Sequence, residues 1–431
     1  MPLAAQRMNT MSATVDSETT TTVILGSGII GLSTAYFLSQ SGNTNPRRIH
    51  LVDASPELFH CASGFAGGFL AADWFAPSVA SLGALSYGLH AQLAESHNGR
   101  ARWGYSDSVA ISLSQDSEEA VSGSGEDWLE SGTSRGQLPY HASPWEAEEG
   151  GPQWLRRTKE GAMEVISGGG TTAQIDPLRF CRWLLARCQE RGVNVHNPAR
   201  ALSLSRDESC VLNGIRMSHD GVESELPCTR LVITSGAWSP RVFSALFPRT
   251  TTRVPISALG GHSLLIRNPH FQPTEADNGS CHAVFATDTL GFSPEWFART
   301  GGELYLAGLT TTTIPLPDVA TEVKASGESI NQLKACARAM IAGVPGQDFE
   351  VLREALCFRP VTSSGRPIVS RIPDGKLGGM KTRPGAKGGV FIAAGHGAWG
   401  ISHAPGTGMV LSELIEGRQT SAKIEALRFP S

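Results

Sequence analysis

Three features are missing from this 431-residue sequence, and each absence removes a class of function. No apolar run reaches about 18 residues, so no membrane-spanning helix is expected. No basic block or basic–aromatic stripe occurs, and 36 Lys and Arg stand against 40 Asp and Glu for a net charge of −4, so nucleic acid is not an expected partner. The eight cysteines (Cys61, Cys181, Cys188, Cys210, Cys228, Cys281, Cys336 and Cys357) include no C-x-x-C pair, and their spacing suits neither zinc nor a disulfide framework. They read as reduced, mostly buried thiols of a cytoplasmic protein. Residues 1–19 lack the apolar core of a secretory signal, and Asp16, Glu18 and a single Arg argue against a mitochondrial presequence. That stretch is expected to be a disordered tail.

What is present begins at VILGSGIIGLSTAYFLSQSG. Thr22–Leu25 suits a short buried strand, and a helix is expected over Ile29–Gln40, ended by Gly42. Between them Gly26 makes the tight turn, Gly28 lets backbone approach a pyrophosphate, and Gly31 lets the helix pack close to the strand. The amides of Ile29 and Ile30 then lie at a helix N-terminus, which favours phosphate. A second strand, IHLVDAS, brings Asp53 22 residues after Gly31, where an acid can accept from ribose hydroxyls, with Ala54 and Ser55 beside it. An ordinary βαβ glycine turn would need neither the acid nor its spacing.

The next stretch, HCASGFAGGFLAADWF, is rich in glycine straight after the second strand. A dinucleotide fold of the NAD type usually continues into another helix here. An extended backbone through Ser63, Gly64, Phe65, Ala66, Gly67 and Gly68 instead suits contact with a long, flat ligand. A plain flexible loop would leave the aromatics around it, Phe65, Phe69, Trp74 and Phe75, in water.

Taken together, the glycine turn, Asp53 and ASGFAGGF resemble the D-amino-acid-oxidase-like FAD-dependent oxidoreductases, a family that includes glycine oxidase and sarcosine oxidase. Later segments extend the resemblance across most of residues 20–425: GGGTTAQIDPLRF, TRLVITSGAWSP, CFRPVTSSGRPIV and GGVFIAAGHGAWGISHAPGTGMVLSELI. The family implies bound FAD, an α/β fold with a Rossmann-like parallel sheet, and an antiparallel β-rich substrate domain. Residues 20–80, 165–248 and 357–425 would form a discontinuous FAD domain. Residues 81–164 and 249–356 would form the substrate domain, with a long polar loop near 115–135.

The resemblance adds Ser235, Gly236 and Trp238 to the cofactor site, together with Gly395, His396, Gly397, Ala398, Trp399, Gly400 and Ile401. These last follow a buried strand, and a helix is expected from near Pro405, its N-terminus supporting negative charge on the flavin. Arg359 matches the residue that holds the substrate carboxylate in glycine oxidase; otherwise it is an ordinary ion-paired Arg. Trp399 would line the flavin ring. Tyr305 falls near a position where sarcosine oxidase carries a Lys thought to activate oxygen. Cys357 lies where sarcosine oxidase bonds its flavin covalently, though the residues after it differ; a buried, inert thiol is the alternative. His262 reads as a structural histidine.

The resulting expectation is an enzyme that oxidises a C–N bond of a small amine or amino acid by hydride transfer to FAD, the imine then being hydrolysed. No general base is needed if the substrate arrives uncharged. Oxygen or another acceptor would take the electrons. The reading from a different class is a flavoprotein without turnover that acts in assembly or trafficking.

Overall fold

The computed structural model describes residues 20–114, 151–156, 162–268, 281–287, 291–342 and 348–430. The expected tail and the 115–135 loop lie outside them. Among the described residues, no helix is long and apolar enough to cross a membrane.

The first strand–turn–helix forms as its residues dictate. Thr22–Leu25 is fully buried, and the Ile29–Gln40 helix follows the glycine turn. Gly26 sits at φ +106°, a conformation that costs a side-chain-bearing residue dearly. At Gly31 a Cβ would fall 2.0 Å from the Gly26 carbonyl, so only a bare backbone lets the helix close on the turn.

Around this unit lies a six-stranded sheet in the order Ile368–Ile372, Gly389–Ala394, Arg230–Ile233, Thr22–Leu25, Ile49–Val52, Asn194–His196. Its pairings are parallel except that of the Ile368–Ile372 strand, which runs antiparallel to Gly389–Ala394. Strands from widely separated parts of the chain therefore meet in one layer. Buried residues cover both faces, as a mainly parallel sheet requires.

A second, nine-stranded sheet is mostly antiparallel. Its long members are Glu350–Val361, Ser257–Arg267, Glu303–Thr311, Glu295–Arg299, Cys281–Ala286 and Ser106–Ser114, adjacent in that order. Strand alternation gives it two different faces. Leu264, Leu306, Trp296 and Val284 pack with Leu333, Cys336 and Met340 of the Gly327–Met340 helix. The opposite face carries Leu265, Tyr305, Phe297 and Phe285 and looks toward the parallel-sheet half. A three-stranded antiparallel sheet, Ala199–Arg206, Leu212–His219 and Val222–Pro227, completes the β structure.

Two expectations are corrected. Cys61–Gly68 is not extended throughout: Ala62–Phe65 is a short helix, because the Cys61 carbonyl accepts from both Gly64 and Phe65 N–H. The last helix begins at Gly400 rather than near Pro405, and Pro405 lies inside it. Proline has no N–H to give the Ile401 carbonyl one turn earlier. The neighbouring Pro77–Ser96 helix repairs this break: His90 Nε2 bonds that carbonyl at 3.0 Å, and Ser86 Oγ accepts the Gly406 N–H at 3.0 Å. Both side chains are fully buried.

Candidate active site

Between the two large sheets runs a cavity of about 530 Å³. One end is built from Gly26, Gly28, Asp53, Ser55 and Arg200; the other reaches Glu295, Phe297, Tyr305, Cys357 and Arg359. Its length brings together segments that are hundreds of residues apart in sequence.

At the first end, Asp53 is fixed by the backbone. Its Oδ2 accepts from Ser27 N–H at 2.8 Å and its Oδ1 from Ser55 N–H at 2.9 Å. A carboxylate has about four lone-pair sites, so acceptor capacity remains for hydroxyls. Burial pushes the Asp53 pKa up, while the two N–H bonds oppose that shift. Ser63 Oγ accepts the Ile29 N–H at 3.0 Å, and a Cβ on Gly28 would meet that same oxygen at 2.9 Å. Gly28 therefore makes room for Ser63, which ties the first glycine corner to the second.

In the middle, Ala66, Gly67 and Gly68 form one wall. A Cβ at Gly67 would fall 2.3 Å from the Phe297 ring and 3.0 Å from Tyr305, so bare backbone lies on these rings. Opposite come Ser235, Gly236 and Trp238, then His396, Gly397, Ala398, Gly400 and Ile401. Trp238 also latches the neighbouring loop, its indole N–H donating to the Pro317 carbonyl at 2.8 Å. His396 Nε2 bonds Thr407 Oγ1 at 3.0 Å, and burial pushes its pKa down to about 3, so the ring pins the turn as a neutral group.

At the far end, the guanidinium of Arg359 lies across Gly261, where a Cβ would meet its Nε at 3.4 Å. Burial raises the Tyr305 pKa, and the positive charge of Arg359 opposes this. Burial likewise raises the Cys357 pKa, which keeps the thiol protonated. His262 accepts the Ser326 N–H at Nε2, 3.1 Å away, and is a satisfied core histidine outside the cavity lining.

Of the residues singled out from sequence, Gly26, Gly28, Ile29, Ile30, Asp53, Ala54, Ser55, Ser63 and Tyr305 also line the cavity. Five do not. Gly31 closes on the Gly26 carbonyl, and at Gly64 a Cβ would fall 2.2 Å from the Phe59 carbonyl. Phe65 packs under Arg353 and against His60. Gly395 abuts Thr362. Trp399 is drawn into a ring cluster with Phe69, Trp74 and Phe75, at centroid distances of 6.4, 6.4 and 4.9 Å.

Sequence reasoning missed Glu295, which is only 4% exposed yet lines the cavity. It sits in EWFAR with no glycine motif beside it; strand alternation with Phe297 was the available signal. It also missed Arg200 and Glu57, which line the cavity toward Asp53.

The parallel sheet, the glycine corners and this cavity define a dinucleotide-binding oxidoreductase. The family description "FAD dependent oxidoreductase" matches residues 21–414, and the chain belongs to that family. FAD is accordingly its cofactor, and the anchored Asp53, the bare backbone on Phe297 and the Gly400 helix N-terminus fit it. Similar proteins include a Schizosaccharomyces pombe protein named only as an oxidoreductase, 28% identical over 94% of this chain and 96% of its own. Glycine oxidase from Geobacillus kaustophilus shares the fold at TM-score 0.66 and 20% identity, over 95% of this chain and 98% of that one. Iminodiacetate oxidase from Chelativorans sp. does so at TM-score 0.66 and 18% identity, over 94% and 98%.

Proposed function

We propose that this enzyme oxidises the C–N bond of a small amino acid or related carboxylated amine. The observation that carries the reading is the pair of charges on the cavity's sheet wall. Among the described lining residues of the nine-stranded sheet, the charged ones are Glu295 and Arg359. A guanidinium binds a carboxylate through two parallel hydrogen bonds. A buried carboxylate suits an ammonium or amine, and it can hold the proton that leaves nitrogen before oxidation. One anion and one cation on a wall otherwise made of uncharged side chains, among them Phe69, Phe297, Tyr305, Cys357 and Phe358, match a zwitterion better than a neutral or purely anionic molecule.

FAD, when bound, supplies the two-electron acceptor for the substrate C–H. The chain's own residues supply position. Arg359 fixes the carboxylate, Glu295 faces the nitrogen, and Phe297 and Tyr305 exclude water from the Cα. Residues 26, 28–30, 53–55, 63, 66–68, 235–238, 396–398 and 400–401, which line the cavity, hold the cofactor in this reading. The names of the structural neighbours, glycine oxidase and iminodiacetate oxidase, support a small carboxylated amine.

The test is anaerobic mixing of the holoenzyme with a panel of amino acids, N-substituted glycines and plain amines, following loss of the flavin band near ~450 nm. Carboxylated amines are expected to bleach it and their decarboxylated counterparts are not. Bleaching by plain amines alone would refute the role given to Arg359. Readmitting air then distinguishes oxygen from another acceptor by the rate at which the band returns.

A further inference from the structure

Behind the Gly64–Gly68 wall lies a layer that the reaction as described does not use. Arg353 Nη1 donates to the Gly64 carbonyl at 3.2 Å. Arg299 Nη2 donates to the carbonyls of Ala66 at 3.0 Å and Gly67 at 3.2 Å. Gln174 Nε2 donates to the Gly67 carbonyl at 2.6 Å. None of these three side chains lines the cavity. They hold the loop from its far side by its carbonyl oxygens.

The consequence falls on the amides. Ile175 N–H donates to the Gly68 carbonyl at 3.0 Å, which places the two residues opposite each other as in an antiparallel ladder. Such a ladder would return the Gly68 N–H to the Ile175 carbonyl. At Gly68 φ is +95°, and that return bond is not made. The Gly67 N–H has no acceptor among the described residues either. Two N–H groups beside a cavity, with their carbonyls already occupied, form a donor pair for an acceptor edge of a ligand.

The charges in this layer are unusual. Arg299 is only 3% exposed, and among the described residues its one carboxylate in ion-pair range is Asp176, at 3.7 Å. Arg353 stacks on Phe65, its Cζ 4.9 Å from the ring centroid, and Arg299 lies 5.7 Å from the Tyr305 ring centroid. Arg353 Nε and Nη2 are buried without a hydrogen-bond partner among the described residues. Burial and the charge of Arg299 both favour the neutral form of Arg353. Burying two cations against one anion costs stability, and an apolar chain of similar size would relieve that cost. Positive charge held in a low-dielectric region acts strongly on any negative charge that develops nearby.

We propose that Arg299 is a positioning residue that aims the Gly67 and Gly68 amides into the cavity through the Ala66 and Gly67 carbonyls, that Arg353, held on the Gly64 carbonyl, adds positive charge behind the same loop, and that together they raise the reduction potential of the FAD bound there. The inference rests on FAD lying along this wall and is independent of which amine is oxidised.

The test compares Arg353→Met, Arg353→Lys and Arg299→Lys as FAD-loaded proteins, with no substrate present. The readouts are the midpoint potential of the bound flavin and its affinity for sulfite, which forms an anionic flavin adduct. Arg353→Met is expected to weaken sulfite binding at least tenfold and to shift the reduction equilibrium tenfold toward oxidised flavin, about 30 mV for a two-electron couple. Arg353→Lys keeps the charge and is expected to retain most of the potential. Arg299→Lys, with fewer hydrogen bonds to the loop, is expected to fall between them. A wild-type potential in FAD-bound Arg353→Met would overturn the proposal. So would equal shifts in Arg353→Met and Arg353→Lys, since loss of packing would then explain both. If Arg353→Met fails to fold, a wild-type potential in both Lys variants with sulfite affinity also unchanged counts against any role for the guanidinium fork. A failed amine panel leaves these readouts untouched.

Discussion

The two walls of the cavity are specified by different physics. The parallel-sheet wall is made of corners, where backbone must turn sharply or pass close to another chain. Gly26 at φ +106° and the 2.0 Å gap at Gly31 leave almost no alternative to glycine. The antiparallel wall is made of side chains on one face of a broad sheet. Glu295, Phe297, Tyr305, Cys357 and Arg359 come from three strands, and many other residues would be equally compatible with the strand geometry. The first wall is fixed by backbone geometry, and the second is free to vary in its side chains.

That contrast makes substitutions on the two walls fail in different ways. The largest expected effect is at the corner. Gly31→Val puts a branched side chain where a Cβ alone would fall 2.0 Å from the Gly26 carbonyl. A cost of about 3–5 kcal/mol is expected, with loss of bound FAD and a depressed thermal midpoint. A variant that folds and retains yellow colour after gel filtration would show that the turn is softer than the structure implies. Next comes Arg359→Met on the sheet wall. FAD content and thermal midpoint should change little, while kcat/KM for a carboxylated amine falls about 100-fold, near 3 kcal/mol of lost charge-assisted bonding. Equal losses on plain amines would detach Arg359 from the substrate carboxylate.

The same contrast explains what could be read from the sequence. The first strand and its helix over Ile29–Gln40 were legible because turn sterics leave a pattern of fixed spacing, and Asp53 ends the next strand where its carboxylate accepts from the Ser27 N–H of that turn. The role of Gly28 was only half legible. Its missing Cβ admits Ser63, whose hydroxyl accepts the Ile29 N–H from 34 residues away, a contact that no local pattern encodes. The start of the last helix was misplaced because proline normally sits in a first turn, whereas His90 and Ser86 from another helix compensate for Pro405. Glu295 left only the alternation of its strand with Phe297, and the Arg299–Arg353 layer left no trace in spacing, since its meaning arises only when strands are laid side by side.

A smaller effect should separate the walls by pH. His90 and His396 are both packed on the Gly400–Ile415 side, and burial pushes their pKa values down to about 4 and about 3. Both are neutral in the fold and take up a proton near 6.5 once unfolded. The unfolded chain therefore binds more protons as pH falls, so their contribution is complete above about 6.5 and is lost on the way down to about 4. Each should steepen the loss of unfolding free energy by about 1.4 kcal/mol per pH unit in that window. His396→Gln carries its amide to about the Nε2 position facing Thr407 and does not titrate, so the pH dependence of its unfolding free energy between pH 6 and pH 5 should lose one such increment. An unchanged slope would mean that His396 is protonated in the native protein.

The smallest expected change tests the other charge on the sheet wall. Glu295→Gln keeps the shape, replaces one acceptor oxygen by an NH2 donor and removes the negative charge that would face a substrate nitrogen. If the wall reads a zwitterion, kcat/KM should fall about tenfold, the value of one moderate charged contact near 1.4 kcal/mol. The loss should also be greatest below the substrate amine's own pKa, where the ammonium predominates and a carboxylate is needed to take its proton. FAD affinity should be unaffected, because Asp53 and the glycine corners lie on the opposite wall. A uniform loss across pH, or a loss of FAD, would make Glu295 a structural member of its strand and leave Arg359 as the sheet wall's one contact with substrate charge.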